Sequence, residues 1–189
     1  MTLIRNLSTY RGKQTVFTLP EISSLLCQDD EQKLYSALKY AIKSKNLFRV
    51  SRGIYVFNHS YNRQEFANKY RSPSYISLYT ILQEAAIIFQ PYSSIHAVSN
   101  RSEKVMMEEQ QYIYRKIKDE FLLNPLGIFL KDGVIKACPE RAICDKIYLD
   151  GDEYFDNLRQ INWNLAKTIN HKVYQNHPVI REFIRKNKK

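Results

Sequence analysis

The chain has 189 residues, and its 29 lysines and arginines against 19 acidic residues give a formal net charge of +10 at pH 7. This length is enough to bury a core and to form two small folding units. No apolar run reaches the length of a signal peptide or of a membrane-spanning helix, so we predict a cytoplasmic protein with no membrane partner. The three cysteines form no CxxC pair, which argues against a disulfide framework and a zinc ribbon.

The positive charge is concentrated at the two ends of the chain. Residues 1–60 carry nine lysines and arginines against four acidic residues, residues 171–189 carry six against one, and residues 61–170 carry fourteen of each. Such segregation indicates a polyanion-binding end and a separate, electrically balanced body. We therefore predict a DNA-binding domain at 1–60, an α+β domain at 61–170 and a basic C-terminal tail at 171–189, although a basic tail can also serve solubility alone.

Two helices are predicted first along the chain. One covers 18–26, with Thr18 as N-cap and Glu21 three places later, as in a capping box. The other covers 31–45 and follows the acidic pair Asp29 and Asp30. Its apolar residues recur at helical spacing and form a core-facing stripe of Leu34, Ala37, Leu38, Ala41 and Ile42. The opposite face carries hydrogen-bonding and cationic side chains, namely Gln32, Lys33, Ser36, Lys39, Tyr40 and Lys43.

A tight β-hairpin is predicted next, in the sequence LFRVSRGIYV at 47–56. Gly53 permits the positive φ that a tight turn needs, and Arg49, Ser51 and Arg52 stand beside that turn. A helix followed by an arginine-bearing hairpin is the layout of a winged helix-turn-helix, in which the helix enters a DNA groove and the hairpin contacts the backbone. We predict that these three residues and the polar helix face bind DNA. The alternative is an ordinary solvated helix and a plain hairpin.

The rest of the sequence predicts helices and strands in one α+β domain. The polar stretch 57–72 is expected to link the two units, with a brief helix at 65–70. Helices are predicted at 73–87, 139–149 and 153–169, and strands at 94–99, 111–117, 127–130 and 134–137. The last two strands flank Asp132 and Gly133, an Asp-Gly turn typical of a hairpin.

The order of these segments resembles the AbiEi family of type IV antitoxins, which are also transcriptional repressors. The likeness covers roughly residues 15 to 160 and consists of short phrases in a fixed order. They are a turn of the Arg-Gly-Tyr type, a Pro-Ser-Tyr-Ile phrase, and a Pro-Glu-Arg-Ala phrase followed by Asp and Tyr. In this chain they are Arg52, Gly53 and Tyr55; Pro73, Ser74, Tyr75 and Ile76; and Pro139, Glu140, Arg141, Ala142, Asp145 and Tyr148.

The resemblance implies a winged helix followed by an antitoxin-like domain, and a function without catalysis. Family members bind inverted repeats in their own promoters, here as paired protomers on double-stranded DNA, and counteract a nucleotidyltransferase-like toxin. Many members extend beyond the matching part, so we expect neutralisation of a toxin to differ if it depends on that extension. Glu140, Arg141, Asp145 and Lys146 are the candidate partner-binding residues. Their spacing equally suits ion pairs along the surface of a helix.

The sequence supports an enzymatic function less well than a DNA-binding one. A metal-dependent nuclease would need clustered carboxylates and a lysine, for which Asp119, Glu120, Asp132 and Lys136 are candidates without a distinctive spacing. The histidines His59, His96, His171 and His177 are isolated, so no metal site is predicted, and five glycines leave little room for a phosphate-binding loop or a cofactor. Cys144 falls among apolar positions, which favours a buried thiol. The principal alternative to a repressor is a non-catalytic protein-interaction module that uses a winged helix as a scaffold.

Overall fold

The computed structural model describes residues 2–10, 12, 14–26 and 30–188, and these form two compact units, 1–70 and 71–189. Helices and strands occur in both units, so the predicted α+β class is confirmed. Cys27 and Asp29 lie outside the described residues.

The described residues of the first unit form four helices and one small antiparallel sheet. In chain order these are α1 (Thr2–Ser8), β1 (Val16–Thr18), α2 (Leu19–Leu26), α3 (Glu31–Lys43), β2 (Phe48–Ser51), β3 (Ile54–Val56) and α4 (Arg63–Tyr70). The strand order in the sheet is β1-β3-β2, with Phe17 opposite Tyr55 and Phe48 opposite Val56. The predicted helices around 18–26 and 31–45 and the hairpin within 47–56 are therefore confirmed, while α1 and β1 were not predicted.

The core of this unit forms where α1, α2, α3 and the sheet meet. Its fully or nearly buried members are Leu3, Leu7, Phe17, Ile22, Leu34, Leu38, Ala41, Leu47, Tyr55 and Phe57. The predicted stripe of α3 is confirmed for Leu34, Leu38 and Ala41, whereas Ile42 is 37% exposed. The capping box of α2 is present, because the Glu21 carboxylate accepts hydrogen bonds from the Thr18 backbone N–H at 2.7 Å and from its hydroxyl at 3.0 Å.

Helix α4 belongs to the first unit, so the predicted boundary after residue 60 is too early. The buried carboxylate of Glu65 accepts hydrogen bonds from the backbone N–H and the hydroxyl of Thr15, at 2.8 and 2.6 Å. Lys69 forms ion pairs with Glu65 at 3.2 Å and with Glu21 at 3.0 Å. The contacts with Thr15 and Glu21 join α4 to the residue before β1 and to α2, and they link residues about fifty positions apart in sequence.

The second unit is built on a six-stranded mixed sheet with the strand order β6-β7-β5-β4-β9-β8. The strands are β4 (Ser74–Ile76), β5 (Ile95–Ser99), β6 (Glu103–Met107), β7 (Gln110–Lys116), β8 (Ile128–Lys131) and β9 (Val134–Ala137). The helices are α5 (Tyr79–Glu84), α6 (Asp119–Leu122), α7 (Pro139–Asp150), α8 (Trp163–Lys172) and α9 (Pro178–Asn187). The predicted strands at 94–99, 111–117, 127–130 and 134–137 and the helix at 139–149 are confirmed within one or two residues.

Two predicted helices differ from the structure. The segment 73–87 begins as strand β4, which lies between β5 and β9 in the middle of the sheet, and only then forms the short helix α5. Pairing on both sides buries the backbone of this strand, so tertiary context overrides its helical periodicity. In the segment 153–169, the helix begins only at Trp163, where the Asn162 side chain caps it by accepting the backbone N–H of Leu165.

The segment predicted as a basic tail from residue 171 is folded. It completes α8 and forms α9, whose apolar residues Ile180, Phe183 and Ile184 are buried. Their spacing of three and four residues places them on one face of the helix. The Phe183 ring contacts Phe155 with a centroid distance of 5.4 Å. The basic side chains therefore lie on the outer face of a packed helix.

Candidate nucleic-acid interface

The N-cap and the core contacts of helix α3 determine which face of the helix is buried. Asp30 is its N-cap, and the Asp30 carboxylate accepts a hydrogen bond from the backbone N–H of Lys33 at 3.1 Å. This bond and the Lys33 ammonium lower the pKa of Asp30. Leu34, Leu38 and Ala41 turn one face of the helix into the core. The other face is consequently open to solvent along the whole helix.

All of the α3 residues predicted to bind DNA lie on that open face. Gln32, Lys33, Ser36, Lys39, Tyr40 and Lys43 are exposed. Lys33 forms an exposed ion pair with Asp30 at 3.1 Å, and among the described residues no carboxylate pairs with Lys39 or Lys43. Tyr40 is 68% exposed and the neighbouring Tyr35, which sequence reasoning did not select, is 52% exposed. These two rings add aromatic surface to the cationic face.

The hairpin follows α3 after a tightly closed turn. The backbone N–H groups of Asn46 and Leu47 both donate to the Ala41 carbonyl, at 3.0 and 3.3 Å. Strand β2 therefore leaves the last turn of the helix in a fixed direction. Leu47, Tyr55 and Val56 are buried, and burial raises the pKa of the Tyr55 hydroxyl. The base of the hairpin is thus part of the core.

The tip of the hairpin is exposed, but a backbone hydrogen bond connects it to the start of α2. Gly53 adopts φ +74°, as the turn requires, and its carbonyl accepts a hydrogen bond from the backbone N–H of Leu19 at 2.8 Å. A bulge between Arg49 and Ser51 shifts the register of β2 against β3. Arg49 and Arg52 are exposed, and Ser51 is half-buried. The predicted hairpin residues therefore lie on a short, anchored projection directly after α3 in sequence.

The four predicted partner-binding residues are all buried, so this prediction is wrong. Glu140, Arg141, Asp145 and Lys146 lie on α7 with exposures of 7%, 0%, 0% and 5%. The reason is that α7 packs against α5, α8, α9 and β9, which leaves its residues 140–147 without a solvent-exposed face. The helix-surface interpretation of their charges is also wrong, because these groups are paired inside the unit.

Asp145 is the centre of a buried polar network. Its carboxylate accepts hydrogen bonds from the Tyr75 hydroxyl at 2.9 Å, from Ser77 at 2.6 Å and from the Tyr174 hydroxyl. Arg141 pairs with it at 3.3 Å and donates to the backbone carbonyls of Leu126 and Phe121 at 2.8 and 2.6 Å. Burial disfavours the guanidinium charge, but the Asp145 carboxylate and the hydroxyls of Tyr174 and Tyr75 together outweigh this effect and raise the pKa of Arg141. The network connects β4, α7 and the α8–α9 region, which is a structural role.

The remaining two α7 residues have similar roles. Lys146 pairs with Asp150 at 2.9 Å and with Glu153 at 2.7 Å, and its ammonium lies 4.7 Å from the centre of the Tyr79 ring. Glu140 accepts a hydrogen bond from the backbone N–H of Asn162 at 2.9 Å, just before α8 begins.

The candidate nuclease residues do not form a cluster around Lys136. That lysine pairs with Glu84 at 3.0 Å, Asp132 occupies the hairpin turn with φ +51°, and Asp119 and Glu120 lie in the first turn of α6. Over the described ranges, no three His, Cys, Asp or Glu side chains are grouped as a metal site would require. Cys144 is fully buried, which raises the pKa of its thiol well above the usual value and is consistent with a packing residue.

No protein-family model matches the sequence, and no curated protein is significantly similar to it. In the part of the chain that the structure describes, no helix has the length and apolar character needed to cross a bilayer.

Proposed function

We propose that this protein is a DNA-binding transcriptional autorepressor and the antitoxin of a type IV toxin–antitoxin system, with the first unit acting as a winged helix. The observation that carries the DNA-binding part is the adjacency of the open cationic face of α3 and the arginine-bearing hairpin. Along the chain the order is α1, β1, α2, α3, β2 and β3, and the three strands form one sheet in the order β1-β3-β2. The β2–β3 hairpin follows α3 directly. This combination suits insertion of a helix into the major groove beside a backbone-binding hairpin.

In this proposal the parts of the surface have different tasks. Gln32, Lys33 and Ser36, in the N-terminal half of α3, face base edges, since amide, ammonium and hydroxyl groups read the donor and acceptor pattern of the major groove. Lys39 and Lys43 contact phosphates. Arg49 and Arg52 bind the flanking backbone or enter the minor groove, where a bidentate guanidinium is well suited to phosphate oxygens. Two protomers on an inverted repeat in the chain's own promoter would exclude polymerase.

The antitoxin part rests on the order of the short phrases that resemble the AbiEi family. In this part of the proposal the partner is a nucleotidyltransferase-like toxin, and the protein acts on it without catalysis. Because α7 is buried, the toxin would contact a surface other than Glu140, Arg141, Asp145 and Lys146. Co-expression of the chain with the product of a neighbouring nucleotidyltransferase gene tests this part, since rescue of growth supports it and continued toxicity contradicts it.

A binding experiment tests the DNA-binding part. Fluorescence anisotropy with a duplex from the chain's own upstream region would compare the wild type with Arg49→Ala/Arg52→Ala. The matched control is Arg101→Ala/Lys131→Ala, which removes the same charge from exposed positions of the second unit. We expect weaker binding for the hairpin variant and a salt slope that is shallower by about 2, because each lost phosphate contact removes about 0.9 from the slope.

The control should bind as the wild type does. Unchanged affinity in the hairpin variant would favour the alternative in which the first unit is a scaffold for protein contacts. Equal weakening in both variants would mean that only net charge matters.

A further inference from the structure

A second basic surface lies in the other unit, in the cleft between α8 and α9. The cleft has a volume of about 420 Å³, and four cationic side chains line it, Lys167 from α8, Arg181 and Arg185 from α9, and Lys188, the C-cap residue that follows α9. Residues 163–188 carry six lysines and arginines against one acidic residue, Glu182. None of these residues takes part in the DNA contact proposed for the first unit.

The two α9 cations and the C-cap residue Lys188 form a row along one side of the helix. Arg181, Arg185 and Lys188 are spaced by four and three residues, which places them on the same face. With a rise of about 1.5 Å per residue, their Cα atoms are about 6 Å and about 4.5 Å apart along the helix axis. Lys167 forms the opposite wall of the cleft. The arrangement is a linear array of positive charge with one flanking cation.

Most of this charge is not neutralised within the protein. Among the described residues, no carboxylate forms an ion pair with Lys167, Arg181 or Lys188, and Lys188 donates to the neutral amide oxygen of Asn164 at 2.9 Å. Arg185 pairs with Glu182 at 2.7 Å, but both side chains are exposed, and such pairs are easily exchanged for other partners.

The cleft is held in place by the fold. Ile180, Phe183 and Ile184 bury the neighbouring face of α9, and Ile184 also contributes to the lining of the cleft. The Asn176 backbone N–H donates to the Asn170 carbonyl at 3.0 Å, and the Asn170 side-chain amide donates to the His177 carbonyl at 3.4 Å. These bonds fix the turn between the two helices, so the cations are presented by a packed hairpin of helices.

We propose that the α8–α9 cleft binds the phosphate backbone of duplex DNA without regard to sequence, as a second contact of the protein with nucleic acid. This inference shares its ligand with the proposed function but depends on different residues. The cations suit successive phosphates of one strand, and the lining contains no aromatic side chain on which an unpaired base could stack. Single-stranded nucleic acid is therefore the less suitable occupant, and binding to anionic lipid is an outcome that the test below distinguishes.

The test uses the full chain and a duplex of random sequence. The variant Lys167→Gln/Arg181→Gln/Lys188→Gln is compared with the wild type and with Arg101→Gln/Lys104→Gln/Lys131→Gln, a control that removes the same net charge from other exposed sites of the same unit. Thermal unfolding of each variant confirms equal folding. We expect the slope of log K against log salt to become shallower by about 2 to 3 in the cleft variant, at about 0.9 per lost phosphate contact. The control should keep the wild-type slope.

Three results would overturn the inference. They are an unchanged slope in the cleft variant, an equal change in the control, and binding to vesicles of anionic lipid without binding to the duplex. The test of the cleft can be distinguished from the test of the proposed function, because the preference of the wild type for the upstream duplex over the random duplex is measured in parallel. A shallower slope in the cleft variant without sequence preference in the wild type would support the cleft and contradict the autorepressor. Sequence preference in the wild type together with an unchanged slope in the cleft variant would support the autorepressor and contradict the cleft.

Discussion

Arg141 and Asp145, one turn apart on α7, form an ion pair at 3.3 Å although neither side chain has any exposed surface. Such a pair is tolerated only where the remaining donors and acceptors are satisfied. Here Tyr75, Ser77 and Tyr174 supply donors to the carboxylate. The pair thus joins a central strand of the sheet to the C-terminal helices.

Removing one member of this pair should be severely destabilising. For Asp145→Ala we expect the free energy of unfolding to fall by about 3 to 5 kcal/mol, because an uncompensated guanidinium stays buried. For Tyr174→Phe, which removes one hydrogen bond to the charged group, the expected loss is about 1.5 to 3 kcal/mol. Urea denaturation followed by circular dichroism measures both. An Asp145→Ala variant as stable as the wild type would show that the buried pair does not support the fold.

His96 should make the second unit sensitive to acid. Burial beside Tyr79 and Tyr92, with a smaller effect from nearby cations, lowers its pKa from 6.5 to about 4. Well above pH 6.5 the imidazole is neutral in both states and contributes nothing. As the pH falls from 6.5 to 4, the unfolded chain takes up a proton that the folded protein does not, so stability decreases by up to about 3 kcal/mol.

The variant His96→Phe keeps a ring and cannot titrate. We expect the difference in unfolding free energy between wild type and variant to change between pH 6.5 and 4 and to be constant from pH 7 to 8. Urea unfolding at a series of pH values would reveal it. Parallel curves over the acidic range would contradict the prediction.

The glycines of this chain offer a graded test of backbone requirements. Gly53 and Gly127 both have positive φ, but a Cβ at Gly53 would meet only Leu19 at 3.9 Å, whereas at Gly127 it would lie 3.0 Å from the Cβ of Arg141. We expect Gly53→Ala to cost about 1 to 2 kcal/mol from the left-handed conformation alone. Gly127→Ala should cost more, because a steric clash is added. Gly12→Ala, which meets no atom within 4 Å, is the control, and equal losses at Gly53 and Gly127 would disprove the ranking.

We expect different residues of α3 to recognise bases and to bind phosphates. Gln32→Ala should reduce the preference for the upstream duplex over a random one by about 1 to 3 kcal/mol and leave the salt slope unchanged. Lys39→Ala/Lys43→Ala should weaken binding to both duplexes and make the slope shallower by about 2. Competition titrations at several salt concentrations distinguish the two effects. Loss of preference only in the lysine variant would reverse the assigned roles.

Local signals in the sequence predicted much of the first unit. Thr18 with Glu21, Asp30 before an apolar stripe, and Gly53 in a short hairpin each act within a few residues, where chain chemistry dominates. The Asp-Gly turn of the β8–β9 hairpin was recognisable for the same reason. The exposed face of α3 followed from its buried face.

Long-range packing accounts for the errors. The helical periodicity after Pro73 gave way to a strand because β5 and β9 pair with it from distant parts of the sequence. The charges of Arg141 and Asp145 suggested a surface because nothing nearby in sequence indicates the hydroxyls of Tyr75 and Tyr174. The segment after residue 171 was predicted to be a tail because of its net charge, although Ile180, Phe183 and Ile184 have the spacing of a helix face. That spacing was the signal that could have predicted α9.

The hydrogen bonds between Thr15 and Glu65 determine how this protein can be dissected. A fragment that stopped at residue 60 would leave the Thr15 backbone N–H and hydroxyl without their acceptor and Glu21 without Lys69. Truncation for crystallisation or NMR should accordingly retain α4 through Tyr70, and a shorter piece that failed to bind DNA would not test the interface proposed for α3 and the hairpin.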